Sequence, residues 1–269
     1  MKGYTGDAVF DTILAIGFGF AAFTFLGSLF VASPYGRFAS SKMGINLNPK
    51  LGWWLMEIPA TLSFYWFYMQ GSRALEMVPL ILAGVWTLHY ANRGWFFPLA
   101  IRNQGKKSSF SITVMLLGMF VTGIHGYLHA RWFSELAPHL TAAWLHDPRF
   151  WLGLLVYALG FSLLFSSEWI VRNLRPKNTP ISTSQSGPRG DGYAIPYGGG
   201  FRLVSSPQYL GEMLAWLGLA IASWGLPGLM ILAITIANLG PRALATHRWY
   251  QSKFADYPRQ RKALIPFVL

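Results

Sequence analysis

The chain has 269 residues, 53% of them hydrophobic and only 12% charged, with 12 Trp, 12 Tyr and 20 Phe. A water-soluble domain carries roughly 25% charged residues, so this composition excludes one and suits a protein with two membrane–water interfaces to line. There is no cysteine, which rules out disulfides, a thiolate nucleophile and a cysteine-bound metal; the net charge of +12 is spread over short segments rather than gathered into the basic patch that nucleic acid requires.

Apolar runs fall at 10–32, 51–70, 77–101, 110–130, 149–171, 207–223 and 225–245. A helix needs about 20 apolar residues to cross a bilayer, so these predict seven spans in an all-α, polytopic membrane protein forming one domain over 1–269. The first run follows Asp7 and Asp11 rather than a basic cluster and is too long for a cleavable signal, so it is expected to be retained. Within it, Gly17-Phe18-Gly19-Phe20-Ala21-Ala22 matches the letters of a dinucleotide fingerprint. It lacks the preceding strand and the following acid, and is expected instead to be a helix-packing surface of small residues.

An ionisable group at membrane depth is costly, and each marks a candidate functional position. The second run carries Glu57, within Trp53-Trp54-Leu55-Met56-Glu57-Ile58-Pro59. It is either an interfacial carboxylate paired with a loop cation or a buried carboxyl able to donate or share a proton. The most apolar part of the third ends in His89-Tyr90-Ala91-Asn92-Arg93, with Tyr90 and Arg93 three apart on one helical face. The fourth holds His125 and His129, four apart with no third ligand nearby, so no metal site is expected. The fifth ends in a ridge of Glu168, Arg172 and Arg175. A loop over 176–206, including the Ser-, Gly- and Pro-rich Pro180–Gly192, is expected to be flexible. The sixth opens with Gln208, Tyr209 and Glu212; Gly225-Leu226-Pro227-Gly228 breaks it from the seventh, where Arg242, Thr246 and Tyr250 step by four. From about Thr246 the mixed aromatic and basic tail is expected to lie along the cytosolic interface.

Alternating seven spans from an outside N-terminus puts 18 of the 22 Lys and Arg residues in cytosolic segments. Only Lys2, Arg73, Arg131 and Arg149 then fall outside. This is the asymmetry of the positive-inside rule, with a cytosolic C-terminus. Polar stripes on several helices at one cytosolic depth imply a shared cavity, and its arginines suit a large phosphorylated cofactor.

The stretch Arg242-Ala243-Leu244-Ala245-Thr246-His247-Arg248-Trp249-Tyr250, followed by Phe254-Ala255-Asp256-Tyr257-Pro258-Arg259-Gln260-Arg261-Lys262-Ala263-Leu264-Ile265-Pro266-Phe267, resembles the end of steroid 5α-reductases. Ile195 through Phe201, Tyr209-Leu210-Gly211-Glu212 with Trp216, Trp53 through Pro59, and His89-Tyr90 with Arg93 extend the resemblance over nearly the whole chain. It implies a seven-helix membrane enzyme that reduces the 4,5 double bond of 3-oxo-Δ4-steroids with NADPH. Glu57 and Tyr90 would be catalytic and polarise the 3-ketone. The cofactor contacts implied are Tyr35, Trp53, Arg93, Arg102, Glu168, Arg172, Arg175, Tyr193, Gln208, Glu212, Arg242 and Tyr250. Leu164, Ala194 and Thr246 depart from the family's commoner side chains. A monomer is expected, with lipid and steroid as its partners, in the inner membrane of a bacterial cell or the endoplasmic reticulum of a eukaryotic one. Alternatives are a reductase of another sterol or enoyl lipid, an isoprenylcysteine-type membrane methyltransferase using S-adenosylmethionine, and a non-catalytic lipid- or sterol-binding protein.

Overall fold

The computed structural model describes residues 3–30, 45–101, 110–174 and 193–269. The fold is helical. Its elements are α1 (Ala8–Phe30), α2 (Pro49–Tyr68), α3 (Met77–Tyr90), a π-helical stretch Ala91–Phe96 running into α4 (Phe97–Ala100), α5 (Ile112–Arg131), α6 (Pro148–Asn173), α7 (Pro207–Ser223) and α8 (Leu226–Lys253). A two-residue antiparallel ladder, β1 (Asn46–Leu47) on β2 (Phe110–Ser111), ties together the entrances to α2 and α5.

Four helical stretches are long and apolar enough to cross a membrane: Ala8–Ser28, Ile112–Leu136, Pro148–Asn173 and Leu226–Lys253. They mark a membrane protein, and their outer faces bear it out, since Val9, Ile16, Leu26, Leu155 and Leu159 are all exposed. The other rods are shorter or more polar. α7 has 17 residues, α3 has 14 before the π turn, and α2 carries Lys50 and Glu57 among its aromatics.

Helix packing in lipid gains little from apolar burial and relies on close van der Waals contact, which small residues permit. The antiparallel α6–α7 pair follows this rule. Gly153 and Gly160 of α6 face Gly218 and Gly211 of α7, and a Cβ on any of them would strike the partner's backbone. Gly126 of α5 meets the Ala60 backbone of α2 in the same manner. Of the pair in the false fingerprint, Gly17 packs on Met230 of α8 while Gly19 faces open space, so only half of that motif is a packing surface.

α3 runs through the middle. Trp86 stacks on Phe64 of α2 at 3.9 Å between ring centres, Tyr157 of α6 donates a hydrogen bond to the Val85 carbonyl at 3.1 Å, and the His89 ring sits 4.1 Å from Trp216 of α7. This central placement buries His89 and Tyr90 completely or nearly so.

One end of the bundle is closed by local pairings. Asp147 caps α6 and takes Arg149 Nη2 at 2.7 Å, which holds the Asp147 carboxyl at about 2, well below the usual carboxylate range. Glu135 accepts from the Ser72 amide at 2.6 Å, Arg73 Nη2 donates to the Ala137 carbonyl at 2.6 Å, and Arg131 lies 3.5 Å from Asp7.

Two segments differ from the sequence expectation. α8 continues to Lys253 through Pro241, so Thr246 to Lys253 are the last two turns of a core helix rather than a separate interfacial one; Arg242, Thr246 and Tyr250 are all buried along one stripe. Residues 193–206 are packed rather than loose. Ile195, Phe201, Val204 and Ser205 are buried, and Ser205 Oγ bonds Tyr257 and His247 at 2.6 Å each and the Lys262 carbonyl at 3.1 Å, stapling this strap to the tail. Pro180–Gly192 lies outside the described residues.

Candidate active site

Two cavities lie side by side within the bundle. The first, about 600 Å³, is bounded by the π turn, the end of α6, the start of α7 and the middle of α8; Asn92, Glu168, Arg172, Gln208 and Arg242 give it a polar wall. The second, about 500 Å³, is apolar for the most part, walled by Phe20 and Phe23 of α1, Val114 to Val121 of α5 and Ile231 and Ile234 of α8, with Glu57, Tyr90 and His125 on its inner face. Trp53, Arg93, Glu212 and Leu239 border both. The partition is thus a single layer of side chains.

Charge in this partition is shared across helices. Arg93 Nε stands 3.1 Å from Glu57 Oε1, and Arg93 Nη1 donates to Glu212 Oε1 at 3.0 Å. The same Glu212 oxygen accepts from Trp216 Nε1 at 3.1 Å and faces His89 Nε2 at 3.3 Å. Glu57 is 1% exposed and Glu212 4%, so neither carboxylate could stand there without its cation. Tyr90 is held by a column of rings, stacked on Trp86 at 4.2 Å, which in turn stacks on Phe64. Its hydroxyl has no hydrogen-bond partner among the described residues. Gly94 lies against both Glu57 and Tyr90: a Cβ built there would be 3.4 Å from Glu57 Cβ and 3.7 Å from Tyr90 Cδ1. The two candidate catalytic side chains therefore belong to one wall of one cavity.

The π turn accounts for this arrangement. An extra residue per turn shifts every side chain after Tyr90, and π segments recur at functional sites for that reason. Here it sends Arg93 to Glu57 and Glu212 while Asn92 reaches Glu168 Oε2 at 3.4 Å. Glu168 takes this partner rather than Arg172 on its own helix. Arg172 rests over Trp169 at 5.5 Å, and among the described residues no carboxylate pairs with it.

Among the predicted cofactor residues, Trp53, Arg93, Glu168, Arg172, Tyr193, Gln208, Glu212 and Arg242 all border the polar cavity. Tyr250 does not; it stacks on Tyr257 at 5.3 Å in an aromatic cluster behind Tyr193. Tyr35, Arg102 and Arg175 lie outside the described residues. The sequence reading passed over Asn92, whose amide has no helical periodicity to announce it, and set His125 aside once no metal cluster could be built.

In this helical membrane protein a polar and an apolar chamber thus meet at buried, interlocked charges. Residues 108–269 match the family model described as 3-oxo-5-alpha-steroid 4-dehydrogenase. The chain is 36% identical over 254 residues to 3-oxo-5-alpha-steroid 4-dehydrogenase 1 of Rattus norvegicus, covering 93% of this chain and 92% of that one. It is 33% identical over 247 residues to steroid 5-alpha-reductase DET2 of Solanum lycopersicum, covering 91% of each, and 33% identical over 238 residues to 3-oxo-5-alpha-steroid 4-dehydrogenase 1 of Homo sapiens, covering 88% and 86%. The chain belongs to the 3-oxo-5-alpha-steroid 4-dehydrogenase family and is an oxidoreductase.

Proposed function

We propose that this protein is an NADPH-dependent reductase of the 4,5 double bond of 3-oxo-Δ4-steroids, spanning the membrane seven times with its N-terminus outside. The observation that carries the reading is the shared partition: Glu57 and Tyr90 face the apolar chamber on one side, and Arg172, Gln208 and Arg242 face the polar chamber on the other. The seven-span topology is supported by Arg73, Arg131 and Arg149, three of the four cations it puts outside, which pair with local acids and carbonyls at one end.

The residues of the polar chamber fit a dinucleotide phosphate. Gln208 Oε1 is buried there without a hydrogen-bond partner among the described residues and suits an amide or hydroxyl donor. Arg172 and Arg242 carry the planar donor forks that phosphate oxygens match. Trp53 and Tyr193 offer ring faces, and Glu168 an acceptor for ribose hydroxyls. Arg102 and Arg175 are expected to add further charge. When bound, a reduced nicotinamide would supply hydride to the β-carbon of the enone, and the enolate so formed would take a proton, ultimately from solvent, at the neighbouring carbon.

The chain's own contribution is polarisation and exclusion of water. An enone accepts hydride only if the negative charge that grows on its oxygen is stabilised, and preorganised donors in a dry site do this most effectively. Tyr90 donates one hydrogen bond to the ketone oxygen. Glu57, anchored through Oε1 to Arg93, becomes a second donor from Oε2 once it has taken up a proton. The apolar steroid reaches the chamber laterally from lipid, past α1. Glu212, His89 and Trp216 hold Arg93 in register.

The test is NADPH oxidation by purified protein in detergent or liposomes with testosterone or progesterone, together with the ring-junction stereochemistry of the product. Glu57→Gln and Tyr90→Phe are expected to lose turnover by 100-fold or more, on the order expected for an oxyanion donor, while NADPH still raises the melting temperature. Stabilisation by S-adenosylmethionine instead of NADPH, or full turnover in both variants, would overturn the proposal.

A further inference from the structure

His125 lies on α5, is fully buried and borders the apolar chamber, yet neither the charge network nor the proposed chemistry uses it. Its hydrogen-bonding state is fixed by its neighbour. Indole Nε1 can only donate, and Trp86 Nε1 stands 3.0 Å from His125 Nε2. Nε2 is therefore an acceptor without a hydrogen, and the ring's one N–H is at Nδ1. Nδ1 is buried with no partner among the described residues. An unmatched donor beside a chamber, rather than deep in close-packed core, points to a ligand acceptor.

The neighbouring ring does not supply one. His129 Nδ1 must carry a hydrogen, because it bonds the His125 carbonyl at 3.1 Å and a carbonyl only accepts. That leaves His129 Nε2 as a bare acceptor, also without a partner among the described residues. The two rings sit 4.3 Å apart, tilted by 47°, with no hydrogen bond between them. Trp216, edge-on at 4.9 Å, and Tyr90, at 5.5 Å, confine the His125 ring further.

From this geometry we infer that His125 is a further catalytic residue, donating from Nδ1 to the same carbonyl oxygen that Tyr90 and Glu57 engage. Trp86 positions both groups at once, stacking on Tyr90 and fixing the tautomer of His125. The first ring of a 3-oxo-Δ4-steroid has the carbonyl oxygen as its only hydrogen-bond acceptor, so a donor placed beside Tyr90 has one polar atom to meet. Trp86 acts through His125 and is a positioning residue.

The inference rests on the proposed substrate class, and two measurements separate them. The first is kcat/KM for a 3-oxo-Δ4-steroid in His125→Leu and His125→Gln. A lost oxyanion donor lowers rates by about 100-fold or more, so His125→Leu is expected to fall by about that factor with NADPH affinity unchanged, and the amide of His125→Gln to restore activity to within about tenfold of the wild type. The second needs no turnover: binding of a 3-oxo-Δ4-steroid is compared with that of its 3-deoxy counterpart, by stabilisation against heating. The wild type is expected to favour the ketone by about tenfold and His125→Leu to lose that preference, as for a hydrogen bond of ordinary strength. If the wild type does not turn over ketosteroids, the proposed function falls while the binding comparison still tests the donor. If His125→Leu weakens both ligands equally, or keeps full kcat/KM, His125 is merely packing and the inference is wrong. Should that variant not fold, Trp86→Phe releases the tautomer constraint and must lower the ketone preference; an unchanged preference there also overturns it.

Discussion

Replacing Arg93 with Met tests whether the partition is held by charge. Methionine keeps most of the stem's packing and removes the guanidinium alone. Its loss leaves Glu57 and Glu212, 1% and 4% exposed, without the guanidinium they share. Breaking one side of a fully buried pair costs about 3–5 kcal/mol. The Arg93 side chain is 32% exposed, and water screening at that end reduces the expected loss to about 2–3 kcal/mol. For a chain of this size that corresponds to a fall in melting temperature of roughly 4–12 °C, measurable by circular dichroism in detergent. Adding Glu212→Gln removes one of the two stranded charges while retaining a side-chain carbonyl for Trp216 and His89, and should recover about half of the loss, since residues in one network are not additive. An Arg93→Met protein melting within a degree of the wild type, or a double variant no better than the single one, would refute the charge-held partition.

Gly160→Ala, whose added methyl meets the Ala215 amide and the Gly211 carbonyl, is expected to destabilise by about 1–3 kcal/mol as overpacking, whereas Gly19→Ala, with open space around it, should be neutral or stabilising by up to about 1 kcal/mol; melting curves of the two decide. Gln208→Leu should weaken NADPH binding by roughly tenfold, the worth of one hydrogen bond, read as a smaller NADPH-dependent rise in melting temperature; an unchanged rise places the cofactor elsewhere. The Asp147 carboxyl is held at about 2 by the side-chain hydrogen bonds of Arg149, below its ordinary 3.8. Its contribution is therefore complete above about pH 4 and is lost as pH falls through 2. Asp147→Asn should flatten the melting-temperature profile between pH 5 and 2, and parallel profiles would exclude the pairing.

The helical rods were legible because apolar runs of bilayer length leave little else to build. The sixth run, 207–223, matches α7 end to end, since Pro207 and the Trp224–Gly225 break punctuate it sharply. The seventh ran eight residues past its expected end, because apolar content stops at 245 while the buried stripe of Arg242, Thr246 and Tyr250 carries the helix onward. Glu57, Tyr90, Glu168, Gln208 and Glu212, polar residues on apolar helices, each line one or the other chamber, and Glu212 lines both. The pairings themselves were not legible. Spacing along one helix joins Glu168 to Arg172, whereas the charges that matter join α2, the π turn and α7. Nor does any hydropathy pattern reveal a π turn, since the extra residue changes direction without changing composition.

This interhelical pairing follows from the layout of the two chambers. A partition one side chain thick between a polar and an apolar space must be both buried and polar, so its charges have to neutralise one another within the protein. Arg93 reaches two carboxyl groups at once, and His89 and Trp216 are further partners of Glu212. Glu168 stands outside the exchange. It borders the polar chamber and has, among the described residues, only the Asn92 amide at 3.4 Å. A carboxylate left with one long hydrogen bond, beside the interlocked Glu57, Arg93 and Glu212, has capacity to spare for hydroxyls of an incoming molecule. It follows that Glu168→Gln should disturb cofactor binding more than stability, the reverse of what Arg93→Met should do.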